Sequence, residues 1–359
     1  MTITAQLRAS VRLPGASELL DGFAFEGRGD GSLRALLRNG HELEVHDLVA
    51  LFTGETAPLA VFPVPWPGWT GGVHSVSPDA AFAAFSGQRS VRAVARDGST
   101  LWEYRHACWD QELGHEHTGD DQQVCRDSEH GSCRVSDDGR YVWAHVVDPE
   151  TEYDELWVVL DARDGRELAR LPLESVASGS HHVSHPDGVH MGLDIGMGQD
   201  GIELHWGHWD GEKLTTWDLN ENLDRILMDV HPEHEGFLTM EHYGADLQLH
   251  ALDGAVLAEG EAPPGAEAWD WCAGFLDAGT VMACTGLEYG EDDEDDSYDE
   301  VRHWLLDAAT LRIRGAVAYP SGPAGGYVRP LGDGTWLTYD EESATLSRWS
   351  PAAPTPAAS

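Results

Sequence analysis

Short runs of alternating apolar and polar residues fill most of the chain, and turns of an acidic residue and glycine separate them. In ELWVVLDARDGRELARLPL and DLQLHALDGAVLAEGE, apolar residues take every second position on both sides of an Asp-Gly pair. Period-two alternation predicts half-buried strands, and Asp-Gly predicts a hairpin because both central residues can take positive φ. No segment shows a sustained helical spacing. The pattern therefore predicts an all-β chain.

Two interleaved series of such turns recur along the chain, and two hairpins per period mean four strands per period. A four-stranded unit repeated in this way is typical of a β-propeller. We expect a single seven-bladed propeller with four antiparallel strands per blade, with six or eight blades as alternatives. The turns of the first series are Asp30-Gly31, Asp79-Ala80, Asp138-Gly139, Asp187-Gly188, Glu235-Gly236, Asp277-Ala278 and Asp333-Gly334.

Several repeats carry short motifs in addition to the turns: SPDAAFAAF from Ser77, SDDGRYVWAH from Ser136, HPDGVHMG from His185, and the pair Trp217-Asp218. With these degenerate motifs the chain resembles the WD-repeat and YVTN-like propellers over nearly its whole length. The last period holds only three strands, so we expect the N-terminal run Ile3 to Leu13 to supply the fourth. Residues 1–350 are then the propeller and 351–359 a disordered tail.

The charge balance narrows the choice of partners. There are 63 Asp and Glu against 22 Lys and Arg, a net charge of −41. Such a surface repels nucleic acids and anionic membranes and attracts basic proteins, although acidity also serves solubility alone. No apolar run of about 18 residues and no secretory signal is present, which predicts a cytoplasmic protein. The five cysteines are too few for a disulfide scaffold.

In propellers the d–a and b–c loops of each sheet lie on one face, and the aromatic residues of this chain concentrate in those loops. Trp and Tyr are frequent anchors of interfaces, and loops on a rigid scaffold often carry function. We therefore predict a non-catalytic scaffold that binds a protein or peptide, basic in character, through an acidic and aromatic face. The alternative is that these rings only cover the blade ends. The candidate residues are Trp66, Trp69, Trp109, Trp269, Trp271, Tyr319 and Tyr327.

A metal-dependent hydrolase or lyase at the channel mouth is the alternative function. The long insertion between residues 106 and 133 is rich in His and Cys, the ligands that zinc prefers. Our candidate ligands are His115, His117, Cys125 and Cys133, set against a merely polar loop. The acidic run Asp292 to Glu300 is a weaker calcium candidate, because it lacks the ligand spacing of a calcium loop.

Three polar residues fall on predicted innermost strands, where propeller enzymes often hold catalytic groups: His74, Arg134 and His182. A histidine in such a place is more often a hydrogen-bonded packing residue. Cys272 and Cys284 fall on neighbouring strands and are expected to be inert core residues. Residues 196–201 match the dinucleotide-binding glycine pattern but join two strands, so the helix that this motif needs is not predicted.

Overall fold

The computed structural model describes residues 1–13, 23–27, 32–38, 41–66, 72–109, 130–151, 154–219, 224–233, 236–264, 268–286, 301–320, 328–340 and 343–352. Their regular secondary structure is almost entirely strand, beginning with β1 (Thr2–Arg12), and the five-residue helix α1 covers Leu48–Phe52. The all-β prediction is confirmed. No helix in these ranges is both long and apolar enough to span a membrane.

Among the described residues, five sheets have four strands each, hydrogen-bonded in sequence order. The first two contain β2 (Phe23–Gly27), β3 (Leu33–Arg38), β4 (Glu42–Asp47), β5 (Ala60–Pro63), β6 (His74–Val76), β7 (Phe82–Ser86), β8 (Ser90–Ala95) and β9 (Thr100–Arg105). The third and fourth contain β10 (Cys133–Val135), β11 (Tyr141–Val147), β12 (Glu155–Asp161), β13 (Glu167–Leu173), β14 (Gly179–Ser184), β15 (His190–Gly196), β16 (Ile202–Trp209) and β17 (Leu214–Asp218). The fifth contains β18 (Arg225–Val230), β19 (Phe237–Glu241), β20 (Asp246–His250) and β21 (Val256–Glu261).

The remaining strands form an eight-stranded sheet in the order β22-β23-β24-β25-β1-β28-β27-β26. Its new members are β22 (Ala273–Asp277), β23 (Thr280–Thr285), β24 (Arg302–Asp307), β25 (Ile313–Ala318), β26 (Val328–Pro330), β27 (Trp336–Asp340) and β28 (Thr345–Pro351). Strand β1 pairs antiparallel with β28 and parallel with β25. The N-terminal strand is thus the fourth antiparallel strand beside β26, β27 and β28, as the short last repeat predicted.

Five acidic pairs of the first turn series lie wholly within the described residues; four of them take positive φ at the second residue alone, and Asp277-Ala278 takes it at neither. In the turn from Ser136 to Tyr141, Gly139 has φ of 72° and its N–H donates to the Ser136 carbonyl at 2.9 Å. The Asp138 carboxylate accepts the N–H of Arg140 at 3.0 Å. Our expectation that both central residues take positive φ was wrong, because the aspartate side chain closes the turn itself.

The chain divides into two compact units, Met1–Glu18 with Leu51–Glu55 and Met228–Ser359, and Leu19–Ala50 with Thr56–Leu227. In each unit, large buried apolar side chains from several strands form the core. In the second unit the indoles of Trp143 and Trp157 lie 5.0 Å apart, fully buried. In the first, Trp336 packs with Leu276 and Met282. The assignment of residues 1–350 to one propeller domain stays a prediction.

Candidate functional site

Three aromatic side chains form an exposed surface on the fifth sheet and the segment that follows it. We call His242, Tyr243 and Trp271 the aromatic platform. Tyr243 is 77% exposed and Trp271 is 56% exposed, the two most exposed residues among the Trp, Tyr and Phe that the structure describes. The imidazole of His242 lies between them, with its centroid 5.0 Å from each of the two rings. Contiguous exposed aromatic surface often marks a binding site.

The platform rests on a rigid turn. Between β19 and β20, the carboxylate of Glu241 accepts the N–H groups of Tyr243 and Ala245, at 2.9 and 3.1 Å. Gly244, with φ of 76°, donates to the Glu241 carbonyl at 2.8 Å. A β-carbon at Gly244 would lie 2.0 Å from the carbonyl oxygen of Trp269, so only glycine allows this approach.

The segment before β22 packs onto that turn. The Trp269 N–H donates to the Gly244 carbonyl at 2.8 Å, and its indole N–H donates to Gly260 at 3.1 Å. The Trp271 indole N–H donates to the His242 carbonyl at 2.8 Å. Trp269 therefore anchors the segment in the core while Trp271 is fixed with its ring exposed. A ring held in place loses little conformational entropy when a ligand covers it.

Carboxylates border the platform. The Trp271 N–H donates to Asp270 Oδ1 at 2.7 Å, and Glu241 lies under the turn. Gly286, which directly follows β23, lies close to the same carboxylate: a β-carbon added to this glycine would be 3.6 Å from Asp270 Oδ2. The sequence that follows Gly286 holds the acidic run Asp292 to Glu300, which lies outside the described residues. The platform thus combines aromatic faces with negative charge.

Most of the other predicted aromatic anchors are covered. Trp66 is 7% exposed, with the guanidinium of Arg92 4.8 Å from its ring centroid. Trp109 is fully buried, 5.1 Å from the ring of His145. Such burial leaves little indole surface for a partner.

Tyr319 is half-buried, and its hydroxyl lies within hydrogen-bonding distance of His303 Nδ1, at 2.6 Å, and Trp336 Nε1, at 2.8 Å. Burial raises the pKa of this phenol. Trp69 and Tyr327 lie outside the described residues. Among the predicted anchors that the structure describes, Trp271 alone has most of its ring in solvent.

The predicted zinc ligands fall mostly outside the described residues. His115, His117 and Cys125 belong to the insertion that is not described. Cys133 is buried on β10, its Sγ 3.8 Å from the Val73 carbonyl, and burial raises the pKa of this thiol to about 12. The zinc site in the insertion, and the hydrolase or lyase activity tied to it, stay predictions.

The polar residues predicted on the first strands of the sheets are bound into hydrogen-bond networks. Arg134 lies 2.8 Å from the carboxylate of Glu26 and donates to Ser184 at 3.1 Å. His182 lies 2.7 Å from the Ser132 hydroxyl through Nδ1, and its Nε2 accepts the indole N–H of Trp157 at 3.0 Å. These contacts match the packing role that we weighed against a catalytic one.

His74 is different, since neither of its ring nitrogens has a hydrogen-bond partner within the described ranges. Burial lowers its pKa to about 4, so the ring is neutral at neutral pH.

A group of metal-binding side chains lies at the turn between β14 and β15, where the sequence did not suggest a site. Within the described part of the chain, His185, Asp187 and His190 have three ligand atoms within 4.8 Å of one another. A signal existed in the sequence: histidine stands at two positions where the repeats from Ser77 and Ser136 have serine and an aromatic residue. The sequence also held a signal for the aromatic platform, because His242 and Tyr243 are two adjacent aromatic residues in a hairpin turn.

Comparison with known proteins supports the fold alone. The chain matches no protein-family model and no curated protein. Among solved structures it is similar to the β-propeller domain of Cps50 (Swd1) from Myceliophteria thermophila, at 11% identity and a TM-score of 0.56, covering 96% of this chain and 100% of that one. It is also similar to BBS1N, solved in complex with ARL6DN, at 10% identity and a TM-score of 0.51, covering 98% of each chain. The fold is that of a β-propeller.

Proposed function

We propose that this chain is a seven-bladed, non-catalytic propeller scaffold that binds a basic segment of a protein partner on the aromatic platform. The observation that carries the proposal is the pair Tyr243 and Trp271, held exposed on hydrogen-bonded backbone and bordered by carboxylates. The seven-blade count rests on the repeat in the sequence and on the four-stranded units of the structure.

The chemistry of the platform favours a cationic ligand. A guanidinium or ammonium group is attracted to an indole face, by about 0.5–1 kcal/mol at exposed sites and about 2 kcal/mol when water is excluded. Asp270 and Glu241 add hydrogen-bond acceptors for the same cation, and the net charge of −41 speeds its approach. An acidic segment would contact the rings but be repelled by the carboxylates. A purely apolar segment would also contact the rings but would cover the carboxylates without offering them a hydrogen-bond partner.

The neighbours agree with a scaffold role only by analogy. BBS1N was solved with a protein bound, so a protein of this fold can carry a protein partner. At 10% identity the position and chemistry of that contact do not transfer to this chain.

A peptide array tests the proposal. The array would display peptides with one, two or three Arg or Lys residues, matched to peptides with Glu or Gln in their place. We expect the wild-type protein to bind the basic members, with binding that weakens as salt rises. Replacing Trp271 by alanine should weaken binding about 5- to 30-fold, the equivalent of 1–2 kcal/mol.

The matched control is Leu257→Ala, which removes another apolar side chain, 57% exposed, from β21. This variant should bind the basic peptides as wild type does. Equal binding by wild type and the Trp271→Ala variant would exclude the platform as the binding site.

A further inference from the structure

The turn between β14 and β15 departs from its counterparts in a way that gathers imidazoles around one carboxylate. In the turn that starts at Ser77, the serine hydroxyl donates to Asp79 at 2.8 Å, and in the turn that starts at Ser136 it donates to Asp138 at 2.7 Å. His185 takes the serine position in the third turn. In the two serine turns the aspartate pairs with a hydroxyl, whereas in this turn Asp187 pairs with an imidazole nitrogen of His185.

A second replacement brings another imidazole to the same carboxylate. His190 stands five residues after His185, where the corresponding positions hold Phe82 and Tyr141. Its Nδ1 lies 2.6 Å from Asp187 Oδ2. His185 Nδ1 lies 3.1 Å from that same oxygen. Two independent departures from the repeat thus point donor atoms at one place.

The carboxylate itself is fixed. Asp187 Oδ1 accepts the N–H groups of Val189 and His190, at 2.9 and 3.0 Å. Those bonds leave Oδ2 directed at the two rings. The turn therefore presents Oδ2 as the oxygen on which both imidazoles converge.

The rings are held in place by their surroundings. His185 is fully buried, with its ring edge-on to Trp206 at 6.0 Å, and His190 stacks on the same indole at 5.8 Å. The His190 ring also stacks on the ring of His208, with the two centroids 4.4 Å apart. Asp187 is about a quarter exposed as a side chain, which gives an ion a route to Oδ2. Ligands positioned before binding raise metal affinity.

We propose that His185, Asp187 and His190 form a binding site for one divalent transition-metal ion, with zinc the best match. Two imidazoles and one carboxylate suit zinc and its neighbours rather than calcium or magnesium, which prefer oxygen ligands. In a tetrahedral zinc site with bonds of about 2.1 Å, ligand atoms lie roughly 3.4 Å apart.

The separations of 3.1 and 2.6 Å between the two nitrogens and Oδ2 are hydrogen-bond distances, shorter than that spacing, so binding would move the rings and Oδ2 apart by up to about 0.8 Å. Each imidazole would present the lone pair of Nδ1 and keep its proton on Nε2, and at His185 the ion would replace the Asp187 N–H, which donates to that nitrogen at 3.4 Å. A water molecule would supply the fourth ligand.

Equilibrium dialysis against Zn²⁺ alone, with protein-bound zinc counted after removal of free ion, tests the proposal. The variant His185→Ser/His190→Tyr places at these two positions the residue types that the turn at Ser136 carries there, Ser136 and Tyr141. We expect it to bind one zinc ion fewer per chain than wild type and to lose at least about 100-fold in affinity for that ion. Zinc bound in the insertion would be unaffected by these changes.

The control is His181→Gln, which removes a histidine with 63% of its side chain exposed and should leave the zinc count unchanged. Far-UV circular dichroism checks that the variants fold, and the single variant His190→Phe gives a second, milder test. Co²⁺ should give intense visible absorption in wild type and not in His190→Phe. The same zinc stoichiometry in wild type and double variant, or no zinc on the wild type, would overturn the proposal.

Discussion

Replacing Glu155 by leucine should destabilise the protein strongly, because this carboxylate joins strands and a connecting segment inside the core. Glu155 begins β12 and is 1% exposed. Its Oε2 accepts from His145 Nε2 at 2.9 Å and from the Ser175 hydroxyl at 2.5 Å, and Oε1 accepts the Ala177 N–H at 2.8 Å. Residues 175 and 177 lie on the connection from β13 to β14. One side chain therefore satisfies three buried donors.

The magnitude follows from those three donors. A buried donor left without a partner costs about 1–3 kcal/mol, so three donors cost at least about 3 kcal/mol. The leucine recovers part of this through apolar burial, and we expect a net loss of about 3–5 kcal/mol, the range for breaking a buried charged pair. Glutamine has the same shape and still accepts through one oxygen, so Glu155→Gln should lose less.

Urea unfolding at pH 7, followed by tryptophan fluorescence, measures the effect. The control is Glu259→Leu, which replaces an exposed glutamate on β21 and should change stability by less than about 0.5 kcal/mol. The reasoning is refuted if the Glu155→Leu and Glu259→Leu variants unfold at the same urea concentration. That result would mean that the three donors find water or other acceptors at no cost.

Three further predictions concern the turns, the buried histidines and the cysteines. Gly139→Ala should cost about 1–2 kcal/mol because φ is 72° there, whereas Gly279→Ala, which has no such angle, should cost less in thermal melts. The pKa of His74 is about 4 in the folded state and about 6.5 in the unfolded state. Its contribution to folding stability is therefore full above pH 6.5 and is lost as the pH falls toward 4. The variant His74→Leu should flatten the pH dependence of the melting temperature between these two values. Cys284 is buried, so mass spectrometry after alkylation should find it unmodified in native protein and modified after unfolding.

Local signals in the sequence predicted the fold well. Turn residues such as Asp138-Gly139 act within six residues of chain, so their effect is readable without knowing the rest of the structure. The count of strands in the last repeat was enough to place β1 beside β28, because an unpaired edge strand in the last sheet needs a partner.

The site was harder to predict, because it depends on contacts between residues far apart in sequence. Trp269 and Trp271 are two residues apart in the same loop, yet one is 3% and the other 56% exposed. The indole N–H of Trp269 donates to the Gly260 carbonyl, whereas that of Trp271 donates to the His242 carbonyl on a turn more than twenty residues earlier in the chain. Glu26 and Arg134 likewise form an ion pair across 108 residues. Composition identifies such residues as candidates, and only the packing separates core from surface.

The measurement that tests the central claim most directly is the dissociation constant of a basic peptide, selected on the array, for a series of substitutions at Trp271. The series Trp, Phe, Leu and Ala separates attraction of a cation to an aromatic face from ordinary apolar contact, because leucine keeps apolar surface without the ring. We expect affinity to fall in that order, with Phe clearly tighter than Leu, and to fall further for every variant as salt rises. If the leucine variant binds as tightly as wild type, the platform does not recognise a cation and the proposed function is wrong.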